Sequence, residues 1–119
     1  MTVSVILVVE DEPLLLMAAM DMIEDAGFEV VGAGNSKGAI AVLEQRPDIG
    51  VVFTDVDMPK GPDGVWLAHQ IRERWPPVHI IVTSGHRHIS GHLLPEGIPF
   101  FRKPYREDQV LEELRRLAA

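Results

Sequence analysis

Three pairs of polar residues and one lysine punctuate an otherwise apolar pattern: Glu10-Asp11, Asp55 with Asp57, Thr83-Ser84, and Lys103. Each follows a short run rich in β-branched or aromatic residues, so each is predicted at the carboxyl end of a strand. In a parallel sheet those ends lie along one edge, and residues far apart in the chain then share a single cleft. Carboxylates facing one another raise each other's proton affinity unless positive charge lies between them, and one ammonium from Lys103 is not enough. A hard divalent cation, Mg2+ or Mn2+, answers this, since it takes oxygen ligands and commonly combines carboxylates with phosphate oxygens. Asp55 can then attack phosphorus as a nucleophile, while the cation and Lys103 neutralise the transferring oxygens.

The elements needed to position these groups can be read along the chain. Residues 3–9 form an apolar run without polar alternation, as expected of a buried central strand. Pro13 suits the first turn of a helix whose stripe is Leu15, Ala18, Ala19, Met22, Ile23 and Ala26, stopped at Gly27. A second strand over 29–33 leads to a helix capped by Asn35 or Ser36, with Ala39, Ile40 and Leu43 inward, and ended before Pro47. A third strand covers 49–54, and Val65, Leu67, Ala68, Ile71 and Trp75 mark the next helix, closed by Pro76 and Pro77. The fourth strand spans 78–84. Gly91, Pro95 and Gly97 then leave room for only a short or irregular fourth helix over 86–97. A short fifth strand at 99–102 precedes a last helix with Val110, Leu111, Leu114, Leu117 and Ala118 on one face. This alternation is (βα)5, an α/β architecture with a mostly parallel sheet covered on both faces.

The 119 residues, 46% of them hydrophobic, suit one domain over 1–119. A net charge of −7 without a compensating basic run opposes direct nucleic-acid binding. The absence of cysteine excludes disulfides and thiolate chemistry. The apolar start is too short to cross a bilayer, is cut off by Glu10 and Asp11, and lacks a basic leader, so a soluble cytoplasmic protein is expected.

The motifs ILVVEDEP at 6–13, VVFTDVDMPKGPDG at 51–64, IIVTSG at 80–85 and FFRKPY at 100–105 together resemble the receiver domains of two-component response regulators. The resemblance covers nearly the whole chain in order. It implies a flavodoxin-like, doubly wound five-stranded sheet of order 2-1-3-4-5 and a phosphoacceptor signalling domain rather than an enzyme acting on other molecules. Asp55 would be the phosphoacceptor, Glu10 and Asp11 would hold Mg2+ with Asp55 and Asp57, and Lys103 would bind the phosphoryl group. Ser84, with Thr83 in reserve, would be the switch hydroxyl, and Phe100 the switch aromatic. The family's first acidic residue is often Asp, where this chain has Glu10. A cis Lys103-Pro104 bond is also implied. The partners would be a sensor histidine kinase or histidine phosphotransfer protein and a downstream protein target, and the unphosphorylated chain is expected to be a monomer. Asp57 and His86, flanking the phosphoryl group, are expected to tune its lifetime by orienting or repelling water.

Two other readings compete. Asp55-Val56-Asp57 also resembles the D-x-D motif of haloacid-dehalogenase-like phosphatases, in which the second aspartate is the acid or base; the fold could also serve as an unphosphorylated binding module. His86, His88 and His92 lack a helical register that would gather them on a metal, and Gly32, Gly34 and Gly38 miss the dinucleotide-binding spacing. Trp66 falls opposite the apolar stripe of its helix, either partly covered by neighbours or at a contact site.

Overall fold

The computed structural model describes residues 4–59, 61–85 and 93–118. Five strands, β1 (Val5–Val9), β2 (Glu29–Ala33), β3 (Ile49–Asp55), β4 (His79–Ser84) and β5 (Phe100–Arg102), form one parallel sheet of order β2-β1-β3-β4-β5. The four helices among the described residues are α1 (Pro13–Asp25), α2 (Ser36–Gln45), α3 (Gly64–Arg74) and α4 (Glu107–Ala118). None is long and apolar enough to cross a membrane. Residues 93–99 contain turns and no α-helix, with Gly97 at φ 82°. The rest of the expected irregular crossover, 86–92, lies outside the described residues.

The pleat of the sheet sorts its side chains onto two cores. Val5, Leu7, Val9, Val52, Ile80 and Val82 face α2 and α3, where they meet Ala39, Leu43, Leu67, Ala68 and Ile71. Ile6, Val8, Val51, Phe53 and Ile81 face the other way, onto Ala19, Met22 and Ile23 of α1 and Val110 and Leu114 of α4. Each fully buried aliphatic chain here contributes about 1.5–3 kcal/mol. Burial on both faces explains why β1 reads as an uninterrupted apolar run.

Local signals set the helix ends. Asn35, rather than Ser36, caps α2, its Oδ1 accepting from the Gly38 N–H at 2.7 Å. Asp63 caps α3 by accepting from the Trp66 N–H at 3.0 Å. Buried Ser36 instead donates from Oγ to the Asp63 carbonyl at 3.2 Å, tying the start of α2 to the start of α3. The stripe expected for α1 holds only in its second half: Ala19, Met22 and Ile23 are buried, whereas Leu15 and Ala18 are exposed. In the first half of the helix the side chain turned onto the sheet is Leu16, which with Met20 packs over Gly32 of β2. Trp66 is exposed.

Candidate functional site

Alternation along the strands decides which polar groups meet. Glu10 continues the face of Ile6 and Val8, Asp55 that of Val51 and Phe53, Thr83 that of Ile81, and Lys103 that of Phe101. All four therefore emerge on the α1–α4 side of the sheet edge. Ser84 continues Ile80 and Val82 and belongs to the opposite face.

Lys103 is the hub of the site. Its Nζ lies 2.8 Å from Glu10 Oε1 and 3.2 Å from Asp55 Oδ2. The second oxygen of Glu10 accepts from the Glu12 N–H at 3.1 Å, and Asp55 Oδ1 accepts from the Asp57 N–H at 3.1 Å. The Lys103-Pro104 bond is cis. Glu10 and Asp55 are buried, Asp11 is exposed, and one carboxylate oxygen from each of the three lies within 4.8 Å of the others. Three anionic oxygens and one ammonium leave the group short of positive charge, and an all-oxygen donor set fits a hard divalent cation.

The electrostatics carry the same message. Burial pushes the carboxyls of Glu10 and Asp55 above their ordinary values; Lys103 and nearby backbone N–H groups oppose the shift without cancelling it. For Lys103, burial pulls the other way, but its hydrogen bond to Glu10 and the charges of Asp55 and Glu10 prevail, so its pKa is raised. The lysine is thus held as a cation.

The Asp57 carboxylate points elsewhere. Its Oδ2 accepts from Ser84 Oγ at 2.8 Å and from the Gly85 N–H at 3.0 Å. Phe100, opposite Val82 at the start of β5, is exposed. His86 lies outside the described residues. Sequence reasoning passed over two contributors. Gly64 opens α3 so closely against β3 that a Cβ there would stand 2.4 Å from the Asp55 carbonyl oxygen and 2.7 Å from Val56 Cα. Its signal was the Asp-Gly at the end of the second motif. Leu15, with its helix turned outward, lines the mouth of the cleft beside Glu10, Asp55 and Lys103.

A parallel sheet of this order is a flavodoxin-like α/β domain, and the acid group and lysine at its carboxyl edge are consistent with a phosphoacceptor site. The chain belongs to the response regulator receiver domain family, whose pattern it matches over residues 6–115. It is 33% identical over 104 residues to the transcriptional regulatory protein PdtaR of Mycobacterium tuberculosis, covering 84% of this chain and 49% of that protein. It is 30% identical over 81 residues to the sensor protein TorS of Escherichia coli, covering 68% of this chain and 9% of that protein. The chain thus spans half or less of the length of these curated relatives. Among solved structures, a response regulator receiver protein from Sinorhizobium medicae superposes with a TM-score of 0.89 at 28% identity, covering 98% of this chain and 94% of that one. Neither the phosphatase nor the unphosphorylated-module reading is favoured by these relationships.

Proposed function

We propose that residues 1–119 act as one receiver unit in which Asp55 accepts a phosphoryl group from a sensor histidine kinase or a histidine phosphotransfer protein. One observation carries this reading: Asp55 is buried at the end of β3 with the Lys103 ammonium 3.2 Å away and the carboxylates of Glu10 and Asp11 within 4.8 Å. In the transfer, the bond from phosphorus to the donor's leaving atom breaks as a bond to an Asp55 carboxylate oxygen forms, and the electron pair leaves with the donor. Glu10, Asp11 and Asp55 would hold Mg2+ or Mn2+, which when bound offsets charge on the phosphoryl oxygens. Lys103 orients and neutralises one of those oxygens.

For the hydroxyl that meets the phosphoryl group, Ser84 at the end of β4 is the first candidate, and Thr83, which pairs with Asp55 in the β3–β4 register, is held in reserve. Movement of the β4 exit towards the phosphoryl group would then be read at Phe100, through its pairing with Val82. Asp57 and His86 set the lifetime of the modified state. The output is a protein contact, with no direct nucleic-acid binding, made in the cytoplasm by a chain that is monomeric before phosphorylation.

Intact mass after incubation with acetyl phosphate and Mg2+ tests this. The parent gains one phosphoryl group, whereas Asp55→Asn and the parent in excess chelator gain none. A stable adduct on Asp55→Asn at the parent's rate would overturn the assignment.

A further inference from the structure

We propose that Thr54 is a positioning residue that acts through the main chain of Asp55, its hydroxyl fixing how the acceptor carboxylate is presented; its significance for phosphorylation rests on the receiver reading above.

Thr54 stands one residue before the acceptor and on the other face of the sheet, between Val52 and Val56 over the α2–α3 core. It is 1% exposed, so its hydroxyl must donate within the protein. Oγ1 donates to the carbonyl oxygen of Asp55 at 2.9 Å. Gly64 brings the start of α3 against the same carbonyl, so closely that a Cβ there would stand 2.4 Å from the oxygen. The Asp55–Val56 peptide is therefore held by a donor and confined by a neighbouring backbone.

The carboxylate depends on this peptide. Beyond it, the Val56 N–H donates to the Thr83 carbonyl at 2.9 Å, and the Asp57 N–H returns to Asp55 Oδ1 at 3.1 Å. The other oxygen, Oδ2, lies 3.2 Å from Lys103 Nζ. Each oxygen of the acceptor is thus engaged by a different donor, and the contact to Oδ1 follows from the path of the chain between 55 and 57. A peptide turns as a plane, so a tilt of the Asp55 carbonyl carries Val56 and Asp57 with it. The Asp57 N–H then moves off Oδ1, and the carboxylate has one anchor fewer against rotation. Attack on phosphorus needs one carboxylate oxygen aligned with it, so this loss slows transfer while nucleophile, cation ligands and lysine all remain.

Two measurements on the full chain test this: loading from acetyl phosphate with Mg2+, and the NMR shift of the Asp57 amide proton without phosphodonor. Thr54→Val keeps the branched shape and loses the hydroxyl; Thr54→Ser does the reverse. Thr54→Val is expected to load on the order of tenfold more slowly, short of the roughly hundredfold that a misplacement of about 1 Å can cost, and its Asp57 amide proton to move upfield. Thr54→Ser is expected to keep the parent's amide shift and to load within about twofold of the parent's rate. A merely structural role gives no such rescue, because serine loses packing that valine retains. Parent-like loading or an unmoved Asp57 amide in Thr54→Val, or equal slowing in Thr54→Ser, would each overturn the proposal. Should Thr54→Val fail to fold, Thr54→Ser against Thr54→Ala isolates the same hydroxyl and is expected to split in the same way. The amide comparison needs no phosphoryl group: a parent that fails to load removes the phosphoacceptor reading, while the amide shift still reports whether Thr54 orients the Asp55 carboxylate.

Discussion

Lys103 and Glu10 are 93 positions apart in the chain and 2.8 Å apart in the fold. The ammonium that makes this contact also reaches Asp55, so one lysine offsets two buried carboxylates joined to it from two different strands.

Removing that charge leaves the carboxylates facing each other. Lys103→Met is therefore expected to lower stability by about 1–3 kcal/mol near neutral pH, less than for a wholly enclosed pair because the lysine is 24% exposed. Urea unfolding in chelator measures it. The loss should shrink as the carboxylates protonate, and a loss that stays constant down to about pH 4 would show that packing, not charge, was removed.

The raised pKa values of Glu10 and Asp55 give a pH dependence of definite sign. A carboxyl whose folded pKa exceeds its unfolded one binds protons more tightly in the folded state. Its stabilising contribution is full below the unfolded pKa, about 4, and is lost as pH rises through the folded value. Asp55→Asn is thus expected to melt higher than the parent in chelator near neutral pH, with the gap closing towards about pH 4. Because Mg2+ competes with these protons, the thermal stabilisation it confers should fade on acidification before exposed carboxylates titrate. A parent and variant that melt together across the range would contradict both statements.

Gly64 is expected to tolerate no side chain. A Cβ would stand 2.4 Å from the carbonyl oxygen of Asp55 and 2.7 Å from Val56 Cα, both backbone atoms that yield only if the β3 exit shifts. Gly64→Ala should cost about 1–3 kcal/mol in denaturant unfolding and slow acetyl phosphate loading, because it moves the residue that carries the acceptor. Parent-like loading in a destabilised variant would mean that the strain escapes into α3 instead.

Thr83→Ala separates the two hydroxyl candidates. If Thr83 meets the phosphoryl group, the variant still forms the adduct but no longer changes the environment of Phe100, followed by NMR of the 100–102 strand with and without phosphodonor. A full response in Thr83→Ala would leave the role with Ser84.

The lifetime of the adduct is the remaining observable. Asp57→Asn and His86→Ala should still load, while phospho-Asp55 decays at a rate changed several-fold, because each side chain can orient or repel the attacking water. Unchanged decay in both would place the control of hydrolysis elsewhere.

The amino-acid sequence by itself determined the βα alternation, the parallel sheet and the placing of Glu10, Asp11, Asp55 and Lys103 at strand ends. These follow from periods of two and 3.6 residues and from glycine and proline stops, which are properties of short segments. Tertiary structure decided what depends on neighbours. Thr83 and Ser84 are equivalent in composition, and only the pleat, fixed by pairing with β3 and β5, puts one beside Asp55 and the other on the far face. Asp57 reads as one more acid of the cluster until the β4 exit offers its oxygen two donors. The apolar period of α1 continues through Leu15 and Ala18, yet they are exposed, because periodicity assigns a stripe to a helix and only packing determines how much of it a sheet covers.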